Sequence, residues 1–405
     1  MPTSRTTIQV TLALLLGTAA HLTAQQRVPL ARPDATFDEP FTAVSGLREL
    51  PSGKVIVSDA RDKVVQVIDF AAGTTTRIGR EGSGPAEYGL PGPMFPMPDG
   101  TTFLQDLLNR RYLVLGPDGK PAGNPISMPN LTPPPAPGGT GGRPARLRMG
   151  FANAQGVDAR GRLYFQPPRF TPDGTTPDSG QIVRWTPKGT AETEETALTE
   201  KVAHVRLPKN SQTATNRGGE MRVMIGRAPV FTAQEVWGVD AAGRVARVTP
   251  APYQVHWIAD GKVTSGPVVP YTPAKVTQAD KDEYMEAQRR NPPTVMRMTA
   301  GPGGTQRQVG PPPGGLPEPE FAETKPPFAG PGSVQVTPEG EVWVLRTRPA
   351  GDKVPTYDVF DPSGALVKKV VLNPRSRVVG FGRGAVYVTR SDEDDLLYLE
   401  RYKRP

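Results

Sequence analysis

Residues 97–119, MPDGTTFLQDLLNRRYLVLGPDG, form the stretch that decides the fold. The stretch contains the turn Pro-Asp-Gly twice, at 98–100 and at 117–119, and two apolar runs lie between these turns. Turn residues that flank two short apolar runs predict a β-hairpin. A polar corner separates the two runs, and it is either a binding site or only the bend of the hairpin. The corner contains Asp106, Asn109, Arg110 and Arg111.

The same pattern occurs six times along the chain. Each copy contains a short strand, a turn that ends in glycine, a second strand, a variable corner and a third strand, as in VQVTPEGEVWVL from residue 334. Self-similar units of about 20–50 residues are typical of solenoid and propeller folds. The six turn glycines are Gly53, Gly100, Gly161, Gly243, Gly340 and Gly384.

Alternation of apolar residues supports the strands, because Val55 and Val57, or Val342 and Val344, place two apolar side chains on one face. A ribbon of three or four strands cannot bury both faces alone, so it must pack on its neighbours. Six such units predict an all-β fold, a six-bladed β-propeller, which protects its sheet edges by radial repetition. The predicted blades are approximately 41–79, 91–127, 150–199, 230–269, 328–372 and 377–403.

Residues 80–120, REGSGPAEYGLPGPMFPMPDGTTFLQDLLNRRYLVLGPDGK, resemble the NHL repeat, and SGKVIVSDARDKVVQVID around Gly53 is a weaker match. The resemblance implies that Asp106 and Asn109 bond the backbone of the corner and that Arg110 lies along the surface. The chain after residue 24 also resembles exported bacterial six-bladed propellers, for instance in GRGAVYVTRSDEDDLLYLERY from residue 382. This implies a fold and says little of function, since propellers serve many functions.

The N-terminus predicts export. Residues 1–24 contain one arginine, an apolar run from Ile8 to about Ala20 and small residues suited to cleavage after Ala20 or Ala24, which is typical of a signal peptide. Residues 25–405 are then a single propeller in an extracytoplasmic space, either periplasmic or secreted. The last repeat supplies three strands, at about 377–381, 385–389 and 395–402, so we expect QQRVPLARP at 25–33 to complete that blade.

Two insertions and one helix interrupt the repeats. Residues 129–149 and 291–320 are rich in proline and glycine and are predicted to be flexible loops. Residues 277–290, TQADKDEYMEAQRR, predict a helix with Thr277 as its cap, acidic residues in its first turn and arginines in its last. Glu286 and Arg290 lie four residues apart and are expected to pair.

Composition restricts the partners. The chain contains no cysteine, which excludes disulfides and thiolate sites. Its net charge is +8, or +7 without the one arginine of residues 1–24, and its basic residues are scattered, so we expect no nucleic-acid partner. We expect a monomer with no transmembrane segment after signal cleavage.

Catalytic motifs are few. Two histidines follow the signal segment, His204 and His256, in different blades, so a three-histidine zinc site is excluded. The sequence therefore favours a binding or scaffold module for a protein, glycan or envelope ligand, without a cofactor. The alternative is a calcium-dependent, lactonase-like hydrolase or lyase whose site lies in the central channel. Its candidate metal ligands are Glu49, Asp158 and Asp240, although an aspartate three residues before the turn glycine is also expected to cap that turn.

Overall fold

The computed structural model describes most of the chain, and all the findings below concern the described residues. The predicted signal peptide at residues 1–24 lies outside these parts, and so does most of the predicted flexible insertion at 129–149. The described residues are 26–129, 131, 153–167, 177–187, 199–208, 212–217, 220–225, 228–290, 295–301, 304–310 and 318–405.

Six sheets form a six-bladed β-propeller, as the repeats predict: five contain four antiparallel strands, and the sheet of blade five contains a fifth strand that pairs in parallel. Within each blade the strands follow one another along the chain from the innermost to the outermost position, except that the outermost strands of blades five and six come from the N-terminal segment. The first two strands are β1 (Gln26–Pro29) and β2 (Ala35–Phe41). Blade one contains β3 (Val44–Glu49), β4 (Val55–Asp59), β5 (Val64–Asp69) and β6 (Thr74–Arg77), and a short pair, β7 (Arg80–Glu81) and β8 (Glu87–Tyr88), follows it.

Blades two to four follow in chain order. Blade two contains β9 (Pro91–Pro96), β10 (Thr102–Asp106), β11 (Arg111–Leu115) and β12 (Ile126–Ser127). Blade three contains β13 (Ala154–Val157), β14 (Leu163–Phe165), β15 (Ser179–Trp185) and β16 (Thr199–Arg206), and the hairpin of β17 (Gln212–Arg217) and β18 (Glu220–Ile225) follows it. Blade four contains β19 (Val236–Val239), β20 (Val245–Pro250), β21 (Tyr253–Ala259) and β22 (Lys262–Ser265).

A long connection leads from blade four to blade five. It contains β23 (Ala274–Lys275), α1 (Gln278–Arg290), β24 (Val295–Gly301), β25 (Gly304–Gly310) and β26 (Thr324–Lys325). Blade five contains β27 (Val334–Val336), β28 (Val342–Leu345), β29 (Thr356–Phe360) and β30 (Leu366–Val371). Blade six contains β31 (Ser376–Gly382), β32 (Ala385–Ser391) and β33 (Leu397–Lys403), together with β2.

The ring closes through a different segment from the one predicted. The prediction that residues 25–33 complete the last blade is wrong, because β1 pairs in parallel with β30 and adds a fifth strand to blade five. It is β2 that pairs antiparallel with β33 and completes blade six. Phe37 and Phe41 of β2 are 4% exposed and pack on Tyr387 and Leu399 of blade six and on Val57 of blade one. Burial of these two rings favours β2 as the closing strand, since β1 carries no aromatic residue.

Two further predictions differ in extent from the structure. Blade three ends at Arg206 instead of residue 199, because its outermost strand follows the insertion after Trp185 and occupies 199–206. The segment 291–320, predicted as a flexible loop, contains the hairpin of β24 and β25. The predicted helix is confirmed at Gln278–Arg290, with Thr277 Oγ1 accepting a hydrogen bond from the N–H of Asp280.

The core lies between neighbouring blades. Strand β4 is buried along its whole length, with Val55 and Val57 packed toward blade six and Ile56 packed toward Leu104 of blade two. A blade in a closed ring has neighbours on both faces, so both faces of its middle strands become apolar. This explains why the alternation in the sequence is incomplete within these strands.

The strand directions define two faces of the ring. Each innermost strand begins at the face that we call the corner face, which also contains the connections between the second and third strands. It ends at the opposite face, the turn face, in a turn whose glycine has a positive φ, such as Gly53 at 85° or Gly340 at 92°. The connection that contains α1 and the long corner of blade five, residues 346–355, both lie on the corner face. Among the described residues, no helix is long and apolar enough to span a membrane.

Candidate functional site

The six innermost strands enclose a central cavity of about 730 Å³. Its lining residues come from all six blades and are mostly apolar, and they include Leu47, Met94, Val157, Val336 and Phe381. Such a wall follows from the sequence, because the innermost strands are short apolar stretches with few charged residues. The volume lies in the range of pockets that hold small molecules, about 300–1,000 Å³.

Glycine brings the innermost strands close together. A Cβ atom built on Gly156 would lie 2.3 Å from Cγ1 of Val239 in the next blade, and one built on Gly238 would lie 2.5 Å from Cγ2 of Val336. The pairing of the innermost strand shifts register beside Gly46, Gly156 and Gly380. These β-bulges bend the strands at the position where they line the channel.

A few polar side chains interrupt the apolar wall. The Nε1–H of Trp237 donates to Oε1 of Gln166 across 2.6 Å, and Nε2 of Gln335 donates to the carbonyl of Val378 across 2.7 Å. Gln155 also lines the cavity and is exposed. The amides of Gln166 and Gln335 connect neighbouring blades. Together with Gln155 they give the channel neutral polar groups beside its apolar surface.

Asp158, one of the candidate metal ligands, is 2% exposed and is fully engaged in blade three. Its Oδ1 accepts the backbone N–H groups of Arg160 and Arg162, and its Oδ2 accepts Nε of Arg162 at 2.7 Å and the hydroxyl of Tyr164 at 2.9 Å. Burial, with the charge of Asp158 as a further cause, raises the pKa of Tyr164 to about 12. Asp158 therefore caps its turn, as the structural interpretation predicts.

Asp240 repeats this arrangement in blade four. Its Oδ1 accepts the N–H of Arg244 at 2.8 Å, and its Oδ2 accepts Nε of Arg244 at 2.7 Å. The guanidinium of Arg244 also lies over the ring of Trp257, 4.2 Å from its centroid. The carboxylate thus holds an arginine and a turn in place.

Glu49, the third candidate, lies at the boundary between blades one and six. Its Oε2 accepts the hydroxyl of Tyr387 at 2.6 Å, and its Oε1 lies 3.5 Å from Nε of Arg383. Burial and the charge of Glu49 raise the pKa of Tyr387. This carboxylate links the last blade to the first.

The three candidate ligands are engaged in other contacts. Each carboxylate accepts hydrogen bonds within its own turn or from a neighbouring blade, whereas a calcium ion takes six to eight oxygen ligands from carboxylates, carbonyls and waters. In the described part of the chain, no group of three or more His, Cys, Asp or Glu residues is placed to hold a metal ion.

The two histidines also lie apart from the channel lining. His204 is exposed on β16. On β21, Nδ1 of His256 lies 2.8 Å from Oγ of Ser265, and its Nε2 lies 3.3 Å from Oγ1 of Thr249. Burial, together with the charge of Arg247, lowers the pKa of His256. The ring of His256 is hydrogen-bonded to two hydroxyl groups and to no carboxylate among the described residues, so this cluster is not a catalytic triad.

The polar corner of residues 97–119 is structural. Asp106 is completely buried, and its Oδ1 accepts the N–H groups of Gly89 at 3.0 Å and Leu90 at 3.2 Å. Its Oδ2 accepts Nδ2 of Asn109 at 2.7 Å and Nε of Arg111 at 3.3 Å. The two turns bound a hairpin of β10 and β11, as predicted.

A second cavity of about 380 Å³ lies on the corner face beside the channel. It is enclosed by α1, by residues 329–333 and by the long corner of blade five. Pro331 and Gly332 line both cavities, so this segment forms the wall between them. We call this second cavity the mouth cavity.

Comparison with known proteins adds similarity of fold. No protein-family model and no curated protein sequence matches the chain, so the NHL-repeat assignment is not confirmed by a family model. Solved structures do match, among them an exported-protein candidate from Bacteroides fragilis at 10% identity, with a TM-score of 0.42 and coverage of 94% of this chain and 99% of that one.

The structures of one enzyme and of one calcium-binding protein also match. A catalytically inactive virginiamycin B lyase from Staphylococcus aureus with quinupristin has 12% identity, a TM-score of 0.36 and coverage of 88% and 94%. The calcium-binding protein regucalcin from Agrobacterium tumefaciens has 10% identity, a TM-score of 0.40 and coverage of 93% and 98%. Because one propeller fold serves many functions, the candidate site rests on the geometry of this chain.

Sequence reasoning missed the residues of the channel wall. A signal for them exists, since the innermost strands of five blades contain glycine, and in four of these strands a Cβ built on the glycine would meet an atom of the next blade. These glycines are Gly46, Gly92, Gly156, Gly238 and Gly380. Gln166, Trp237 and Gln335 carry no such signal, because they come together only when the ring closes.

Proposed function

We propose that this protein is an exported binding module that takes its ligand into the central channel and catalyses no reaction there. The observation that carries the proposal is the channel wall itself, an apolar surface with neutral amides around a cavity of about 730 Å³. The carboxylates on that wall, Glu235 and Asp158, already accept hydrogen bonds from protein groups, Glu235 from the N–H of Arg206 at 2.8 Å.

The wall favours a ligand with an apolar portion. Apolar surface removed from water contributes about 25 cal/mol per Å², and a few amides then fix the orientation of the ligand. Of the partner classes that the sequence leaves open, an envelope component with an apolar part suits this channel better than a glycan. Export is supported by the pattern of residues 1–24.

The test uses the uncharged fluorophore 1-aminoanthracene with the purified protein. We expect saturable enhancement of its fluorescence with a stoichiometry near one per chain. The variant Gln155→Trp places a large side chain at an exposed position of the channel lining, and it should weaken binding at least tenfold. Lys262→Trp, on the exposed outermost strand of blade four, is the matched control and should bind like the wild type.

Three results would overturn the proposal. One is an absence of saturable binding, and another is equal binding by Gln155→Trp and by the wild type. The third is hydrolysis of an added lactone that requires Ca²⁺ and is abolished by Asp158→Asn or Asp240→Asn, which would establish the enzyme alternative instead. Metal analysis of the purified protein should accompany the assay.

A further inference from the structure

The mouth cavity adjoins the channel and contains cationic side chains. Four cationic side chains line it, and two of them are neutralised within the protein. Nζ of Lys325 is bonded to the buried Asp280, and Nη1 of Arg346 donates to Oδ2 of Asp358 across 2.7 Å. The remaining cations are Arg348 and Arg377.

Arg348 and Arg377 are not committed to a carboxylate. Nη2 of Arg377 donates to the carbonyl of Gly332 across 2.9 Å, and this contact holds the guanidinium against the wall between the two cavities. Among the ion pairs of the described residues, neither arginine has a carboxylate partner within 4.0 Å. The carboxylates of Glu283 and Asp352, which also line the cavity, accept the N–H groups of Gly351 and Val354.

The two guanidinium groups act on a shared point. The hydroxyl of Tyr357 accepts the N–H of Val378 across 3.1 Å. Burial raises the pKa of this phenol, and the charges of Arg377 and Arg348 both oppose that rise. Both arginines line the mouth cavity, and the bond to Gly332 holds Arg377 at the wall that this cavity shares with the channel.

We infer that the ligand of the channel is an amphipathic carboxylate, with its apolar body in the channel and its carboxylate bound by Arg348 and Arg377. This inference rests on the proposed function and names the ligand class for the same site. Guanidinium groups bind carboxylates through paired, charge-assisted hydrogen bonds, which gives the mouth a geometry suited to such a headgroup. Pro331 and Gly332 line both cavities, so the two cavities adjoin at this segment.

The test compares 11-(dansylamino)undecanoic acid with its methyl ester, which has the same apolar body without the charge. We expect the acid to bind at least tenfold more tightly than the ester, because hydrogen bonds to a charged group are stronger than those to a neutral one. The double variant Arg348→Gln/Arg377→Gln should reduce the affinity for the acid to that for the ester and leave the affinity for the ester unchanged. Higher ionic strength should weaken binding of the acid alone.

Arg77→Gln, an exposed arginine on the outermost strand of blade one, is the control and should bind both probes like the wild type. Retained ester binding shows that the double variant is folded. If acid and ester bind wild-type protein equally, or if the double variant keeps the preference for the acid, the carboxylate inference is wrong and the channel proposal stands. If both probes and 1-aminoanthracene fail to bind, the proposed function itself is wrong.

Discussion

At the scale of single residues, buried carboxylates organise the corners of the blades. Asp59 of blade one accepts the N–H groups of Thr42 and Ala43 at 2.8 and 2.9 Å, and those of Arg61 and Asp62 at 2.9 and 3.0 Å. Asp106 plays the same part in blade two. In both blades one carboxylate joins the corner to the segment that leads into the innermost strand of the same blade. Such a residue stabilises the fold by holding the corner in place.

Asp106→Ala should therefore destabilise the protein strongly. The change leaves the buried N–H groups of Gly89 and Leu90 without an acceptor and removes the partner of Arg111, so we expect a loss of about 3 kcal/mol in the free energy of unfolding. Urea denaturation measures it. Asp118→Ala, in the exposed Pro-Asp-Gly turn at 117–119, is the control and should lower the free energy of unfolding by less than about 1 kcal/mol. A loss of probe binding with unchanged stability would instead make the corner a site.

The sequence predicted this corner well because its chemistry is local. An aspartate followed by an asparagine three residues later is a turn signal that needs no knowledge of other blades. The partner arginine was not predicted, since Arg111 pairs with Asp106, whereas Arg110 adopts a positive φ of 56°. That choice depends on the exact path of the corner, which the pattern of residue types does not specify.

Asp280 should make stability depend on acid pH. Burial alone would raise the pKa of Asp280, but hydrogen bonds from Lys325 and Thr277 outweigh burial and hold the pKa at about 2. A carboxyl whose pKa is lower in the folded state stabilises the protein above its unfolded pKa of about 4 and loses that contribution as the pH falls toward 2. The stability difference between wild type and Asp280→Asn should thus be largest near neutral pH and shrink between pH 4 and pH 2.

Chemical denaturation at a series of pH values measures this difference. Asp282→Asn, on the exposed side of the same helix, is the control, and its free energy of unfolding should differ little from that of the wild type. A difference for Asp280→Asn that stays constant down to pH 2 would contradict the expected ionisation of the buried pair.

At the scale of elements, the two N-terminal strands have unequal parts. Strand β1 adds to the outer edge of blade five, whereas β2 joins the two ends of the chain within blade six. The core around β2 includes side chains of blades six and one, so this strand also supports the boundary at which the ring closes. Closure by a strand from the opposite end of the chain pairs the outer edge of β33, which would otherwise be exposed in the last sheet.

Phe37→Ala should accordingly cost about 3–5 kcal/mol, because it removes a buried ring at the closing boundary. Val28→Ala, at a half-buried position of β1, should cost about 1 kcal/mol or less. Thermal and urea denaturation of both variants provide the comparison. Equal losses for the two variants would show that β1 contributes as much to closure as β2.

The hairpins could be predicted from the sequence, but the closing strand could not. Turn glycines and alternating valines are signals within about ten residues, and they correctly gave the first two strands around each glycine. The choice between residues 25–33 and 35–41 as the closing strand depends on contacts with Leu399 and Tyr387, more than 300 positions away. The same reason applies to blade three, whose last strand follows an insertion that breaks the spacing.

At the scale of the whole molecule, the channel is a property of the ring and of no single blade. Its wall collects a few residues from each innermost strand, and its width depends on how closely those strands approach one another. The composition of one repeat does not predict such a cavity. The sequence suggests a metal site because it places carboxylates near the ends of innermost strands. In the folded ring, turns and neighbouring blades engage each of them.

Gly238→Ala tests how the ring sets that spacing. The added Cβ would lie 2.5 Å from Cγ2 of Val336, so blades four and five must move apart, at a cost of about 1–3 kcal/mol. Val336→Ala removes the opposing methyl groups, so the double variant should be destabilised by less than the sum of the two single changes, by 0.5 kcal/mol or more as is usual for residues in contact. Urea denaturation of the wild type, the two single variants and the double variant measures this difference. Additive losses would mean that these two positions do not contact each other, and unchanged 1-aminoanthracene affinity in Gly238→Ala would show that the channel tolerates the displacement.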